Sequence, residues 1–221
     1  MEVYNGIIIS TSVYKDNNLI VNLLTQNSIV TFEVLSLHNK NRYLINDIQV
    51  LNYGEFELYK GNTKYFKLKA CKIEKSLYER CFEDSKLLFT YEFLKEIILK
   101  NQPYEDFEKY FKLLLITSKY LIENSDKWYI YDLLFISFYM RFSGYSLKNV
   151  INNAGINVET IGFYQNSEIL NIYHILFDDK YMDAMTKINN INVNIAIESL
   201  KELIKIYENI ADLKINAINL I

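Results

Sequence analysis

The 221-residue chain predicts an α+β protein, a small closed barrel of five strands followed by an all-α region. Two observations carry that expectation. Up to about Lys75 the apolar residues come in short β-branched or aromatic runs broken by turn clusters, and from Leu77 onward they recur at helical spacing. Half of the residues are hydrophobic, enough apolar surface to offset chain entropy, so a folded globular protein is expected. Its length suits two domains, placed at residues 1–75 and 76–221.

The five strand-like runs are Ile7–Ile9, Leu19–Val21, Ile29–Leu37, Val50–Tyr59 and Tyr65–Ile73. Between them lie the turn-formers Lys15-Asp16-Asn17-Asn18, Gln26-Asn27-Ser28, His38-Asn39-Lys40-Asn41 and Lys60-Gly61-Asn62. Alternation is clearest late, where Phe56 and Leu58 oppose Glu55 and Glu57, and Phe66, Leu68 and Ala70 oppose Lys67 and Lys69. A lone five-stranded sheet would leave a face and two edges uncovered, so the runs are expected to close into a barrel.

After Leu77, Leu87, Tyr91, Leu94 and Ile98 fall on one helix face, and Asn101 with Pro103 ends that helix. Phe107, Phe111, Leu114 and Leu121 mark a second helix. A third, Trp128–Phe142, is apolar nearly all round, as the central member of a bundle should be, with Gly144 as its C-terminal cap. Leu200, Leu203, Tyr207 and Ile210 mark a last long helix. Between the last two, an irregular insert is expected from Ser146 to about Phe177.

Charge and motifs narrow the function classes. No stretch reaches the roughly 20 apolar residues of a membrane span, and MEVYNGIII lacks the pattern of a secretory signal. Cys71 and Cys81 form neither a disulfide framework nor a zinc site, so a cytoplasmic location fits and no metal or other cofactor is expected. His38 and His174 have no partner at ligand spacing, and no phosphate loop or nucleophile elbow is present. Asp178-Asp179 reads as a solvated helix start. An enzyme is not expected.

Binding is better supported. Residues 1–75 hold nine Lys/Arg against seven Asp/Glu, whereas the remainder is net acidic. YKGNTKYFKLKACKIEK, Tyr59–Lys75, carries six lysines interleaved with Tyr65, Phe66 and Leu68. Phosphates need cations and unpaired bases need flat apolar faces, so such a strand could wall a nucleic-acid groove. The same pattern also suits a solvated strand edge, where lysine deters edge-to-edge pairing. A coding bias toward Lys and Asn, with one Pro and three Arg, keeps the two readings level.

GIIISTSVYKDNNLIVNLLT, Gly6–Thr25, runs as an apolar strand, a loop carrying Tyr14, Asp16 and Asn18, and an apolar run ending L-T, followed in order by FELYKG, Phe56–Gly61, FYMRFSGYSL, Phe138–Leu147, and the tail YENIADLKINAINLI. In these stretches the chain resembles the RecO family of bacterial recombination mediators, whose opening strand, Y-G-E-x-D loop, fourth strand, G-Y motif and closing helix come in the same order. The resemblance implies an OB-fold barrel that binds single- and double-stranded DNA, and a helical domain. It implies strand annealing and recombinase loading with RecR on DNA coated by single-strand-binding protein, hence a nucleoid-associated location.

By that resemblance, Lys40, Arg42, Lys60, Lys64, Lys67 and Lys69 are expected DNA contacts, with Tyr59 and Tyr65 as stacking surfaces. The family's basic A-K-G-x-R-K loop is here LSLHNKNRYL, depleted in cations, which implies a weaker or shifted footprint. Its zinc-binding cysteines are absent from NNAGINVETIGFYQNSEIL, so the insert at about 146–177 is expected to be a degenerate zinc-finger region held by Ile156, Ile161 and Phe163. Arg141 lies near the family's docking place for the tail of single-strand-binding protein, but it could equally neutralise Asp132 or another carboxylate of the bundle. The alternatives are a protein-interaction adaptor with little DNA affinity and an RNA-binding barrel.

Overall fold

A computed structural model describes residues 1–15, 18–35, 42–61, 64–146 and 167–220. The chain divides into two compact units, Met1–Ser125 and Asp126–Ile221. The first opens with β1 (Glu2–Val13), β2 (Leu19–Leu24), β3 (Ile29–Val34), β4 (Tyr53–Lys60) and β5 (Phe66–Lys75), closed as β1-β2-β3-β5-β4. Among the described residues only β3 and β5 pair in parallel. A closed five-stranded barrel followed by helices is the expected α+β class, and its strand order is OB-like.

β1 is longer than its apolar run because polar residues extend it. Ser10 to Val13 pair with β2, and Asn22 donates to Ser10 Oγ at 2.9 Å while accepting from Thr31 at 2.7 Å. A bulge at Ile9 lets three consecutive isoleucines, Ile7, Ile8 and Ile9, be fully buried. Val21, Leu23, Phe32, Phe56 and Leu58 fill the barrel, with Phe32 and Phe56 at 5.8 Å between ring centres. Gly54 is required by close approach, since a Cβ there would lie 2.3 Å from the backbone oxygen of Lys72.

β4 begins at Tyr53, later than its apolar run suggested. Leu51 adopts φ 71°, and the Asn52 side chain donates to the carbonyls of Asn46 and Asp47, closing a short helix α1 (Arg42–Asp47) that the sequence pattern did not announce. Leu51 is nevertheless buried, so its packing outweighs a backbone conformation costly for a branched residue. α2 (Leu77–Glu83), α3 (Lys86–Lys100) and α4 (Phe107–Glu123) complete the unit. Ser76 caps α2 by accepting from the Glu79 amide at 3.0 Å. α3 and α4 pack on β1, and Phe111 of α4 meets Tyr53 edge-on at 6.2 Å.

In the second unit α5 (Trp128–Phe142) packs against α6 (Ser167–Asp178), α7 (Tyr181–Ile188) and α8 (Val193–Ala211). α5 is buried without a break from Ile130 to Met140, as its all-round apolarity predicted. Gly144, at φ 85°, closes it: its amide bonds the Arg141 carbonyl at 3.1 Å and the Tyr145 amide bonds that of Met140 at 2.9 Å, a Schellman turn.

α6 replaces the later part of the expected irregular insert. Ile169, Ile172, Tyr173 and Leu176 share one buried helical stripe, and the Tyr173 hydroxyl donates to the Ser199 carbonyl at 2.7 Å. Asp178 ends α6, while Asp179 directly precedes Lys180, the N-cap of α7, and pairs with Lys187 of that helix at 2.7 Å. Ile156, Ile161 and Phe163 lie outside the described residues. Among the described residues no helix is long and apolar enough to cross a membrane.

Candidate nucleic-acid interface

The β4–β5 hairpin holds most of the expected contacts. Its register sets Glu55 opposite Lys72, Glu57 opposite Ala70, Leu58 opposite Leu68, Tyr59 opposite Lys67 and Lys60 opposite Phe66. The jump between the second and third of these pairs leaves Lys69 as the extra residue of a bulge. That bulge breaks the alternation read from the sequence. Ala70 is exposed rather than sharing the covered face of Phe66 and Leu68, and half-buried Cys71 comes opposite Phe56.

Electrostatics divides the hairpin. Lys69 is held by Glu57 at 3.1 Å and also approaches Met1 Sδ at 3.5 Å. An exposed pair of this kind adds at most about 1 kcal/mol of stability, yet it cancels the local positive charge. Lys72 faces Glu55 in register, without an ion pair among the described residues. Toward the β4–β5 turn the cross-strand partners are Tyr59 and Phe66, which carry no charge. Among the described residues no ion pair involves Lys60, Lys64 or Lys67. Lys67 pairs in parallel register with Glu33, but that carboxylate is 6% exposed and takes a hydrogen bond from Asn18 at 2.7 Å.

That Asn18 bond anchors the β1–β2 loop beside the β4–β5 turn. The loop is tightened by Tyr14 N–H to Asn18 O at 2.7 Å and Asn18 N–H to Lys15 O at 3.1 Å. Tyr14 then meets Tyr65 edge-to-face, at 6.3 Å and 88°. The Lys15 ammonium sits 5.9 Å from the Tyr14 ring centre and that of Lys64 5.5 Å from Tyr65. Two lysine–tyrosine pairs from separate turns thus converge on one end of the barrel. Tyr65 precedes β5 and is half-buried, whereas Tyr14 and Tyr59 are 39% and 37% exposed.

Tyr14 and Lys15 are absent from the contacts expected from the sequence, where Tyr14 served only as a motif position. A usable signal was present: a Tyr-Lys pair in one turn and a Lys-Tyr pair in another. Exposed cation–π contacts are worth about 0.5–1 kcal/mol. Stacking a base on an aromatic ring is worth about 1–3 kcal/mol. A nucleic-acid strand can therefore displace the lysines from the rings while offering them phosphates.

The remaining expected residues behave differently. Lys40 and the side chain of Arg42 lie outside the described residues, as does His38. Arg141 donates to the carbonyls of Leu176 and Asp179 at 3.0 and 2.7 Å and lies over the Phe138 ring at 4.4 Å. It thereby caps the C-terminal end of α6, where a cation also complements the helix dipole. Burial lowers its pKa, while nearby Asp178 and Asp179 oppose that shift. His174 is exposed and hydrogen-bonds Asp178 at 3.2 Å.

Burial pushes the Cys71 thiol up to about 11 and the Cys81 thiol up to about 12, so neither is a thiolate at neutral pH. Among the described residues no group of three His, Cys, Asp or Glu side chains is placed to hold a metal ion. No protein-family model matches the chain, and no curated protein matches it.

Proposed function

We propose that the barrel end built from the β1–β2 loop and the β4–β5 turn binds nucleic acid, and that the chain acts as a recombination mediator of the RecO kind. In this reading it anneals single strands and helps to load recombinase on DNA coated by single-strand-binding protein, with RecR as partner. It acts by holding strands and catalyses no bond-making step. The observation that carries the reading is the convergence of Lys15–Tyr14 and Lys64–Tyr65, with Lys60 and Lys67 nearby in no ion pair among the described residues. Annealing needs phosphate repulsion screened while bases stay accessible, which a small cationic and aromatic end provides.

Fluorescence anisotropy with a labelled single-stranded DNA oligonucleotide tests this. Affinity is expected to fall steeply between about 50 and 200 mM salt, because each phosphate contact releases a counterion. An unlabelled RNA of the same sequence, used as competitor, is expected to displace the DNA less well than DNA itself; equal or better displacement would favour an RNA-binding barrel. Absence of binding at low salt would overturn the reading. It would favour an adaptor that docks proteins, for which Phe82 and Leu88, 76% and 50% exposed on α2 and α3, are the apolar surface.

A further inference from the structure

We propose that Tyr14 and Tyr65 form a stacking clamp that makes this end of the barrel selective for unpaired strands over duplex, an inference that rests on the nucleic-acid reading above. In an edge-to-face pair at 88° the two ring planes are perpendicular, so the ring that presents its edge does not spend a face on the other. The groups now over those rings are Lys15 and Lys64, each adjacent in sequence to the tyrosine it covers. A flexible lysine stem lets the ammonium leave the ring for a phosphate without moving the backbone.

Only an unpaired base can exploit that exchange. In a duplex, base faces are covered by neighbouring base pairs, so a duplex reaches the lysines but not the ring faces. The clamp also has a fixed span, because one tyrosine comes from each turn and the Asn18–Glu33 hydrogen bond ties the β1–β2 loop to β3, the strand that pairs with β5. The geometry therefore separates two contributions: lysines that serve any phosphate backbone, and tyrosines that serve single strands.

The test compares the full chain with Tyr14→Leu, Tyr65→Leu and the matching Tyr→Phe variants. Each is titrated with a single-stranded DNA oligonucleotide and with the duplex of the same sequence, over a salt series. Each Leu variant is expected to lose about tenfold in single-strand affinity, with duplex affinity and salt slope unchanged and the Phe variants close to wild type. Retained duplex binding reports that a Leu variant is folded. Equal losses for both ligands, or no loss for either, would overturn the clamp while leaving nucleic-acid binding in place. A wild-type protein that binds neither ligand would overturn the underlying reading and the clamp with it.

Discussion

The two ends of the β4–β5 hairpin are both rich in lysine and differ in the charge that faces it. At one end Glu57 and Glu55 stand across from the bulge at Lys69–Ala70 and from Lys72; at the other, Tyr59 and Phe66 stand across from Lys67 and Lys60. Six lysines in one sequence stretch are therefore not one cationic wall. What each lysine can do is decided by the residue its register places opposite, and register is a property of the folded sheet. The same contrast holds for Arg141, whose Nη1 donates to the carbonyls of Leu176 and Asp179 at the end of α6.

The harshest way to break the comparison is to remove the barrel that holds both ends apart. Phe56 is fully buried against Phe32, so Phe56→Ala is expected to cost about 3–5 kcal/mol, read as a lowered urea midpoint together with loss of nucleic-acid affinity. Arg141→Met comes next. It leaves two helix-terminal carbonyls without their donor and should cost about 1–3 kcal/mol in denaturant unfolding while single-strand affinity stays at the wild-type value. A fall in affinity with stability intact would instead make Arg141 a contact.

Two smaller effects sharpen the picture. Gly144→Ala meets no steric neighbour within 4 Å, so its cost is only that of a non-glycine residue at φ 85°, about 1 kcal/mol in thermal or urea unfolding. Glu57→Gln removes the partner of Lys69 and returns one cation to the strand face. Single-strand affinity is expected to rise by no more than a few-fold at low salt, with the gain lost at high salt, as an anisotropy titration would show.

Much of this fold was legible in the sequence because period reports burial. Trp128–Phe142 emerges as a helix with the predicted bounds, and Gly144 caps it through the left-handed turn its lack of a side chain allows. The failures share a different cause. The bulge at Lys69 shifts the alternation by one residue, so Ala70 turns outward; nothing in FKLKACKIEK marks where a strand will carry an extra residue. α1 is short and held by a side-chain bond from Asn52, a tertiary contact with no period of its own.

The candidate site was legible by composition and illegible by geometry. Lys64 and Tyr65 stood out in a lysine-rich stretch, but Tyr14 is fifty residues upstream of Lys64 and joins them only through barrel closure. Its ring contact, together with the hydrogen bond from Asn18 to buried Glu33, is what turns two unrelated turns into one surface. α6 was the reverse case, since the spacing of Ile169, Ile172, Tyr173 and Leu176 was present but hidden by its position after a stretch rich in Gly and Asn.

The division of the hairpin is tested most directly by two sets of lysine substitutions, Lys60→Ala with Lys64→Ala and Lys67→Ala, and Lys69→Ala with Lys72→Ala. Each protein is titrated with the same single-stranded oligonucleotide across a salt series. Three phosphate contacts at about 0.7 counterions each predict that the first set lowers the slope of log affinity against log salt by about two, and that the second changes it by less than about half a unit. Equal reductions from both sets, or a larger one from the second, would contradict the account and place the ligand along the strand face.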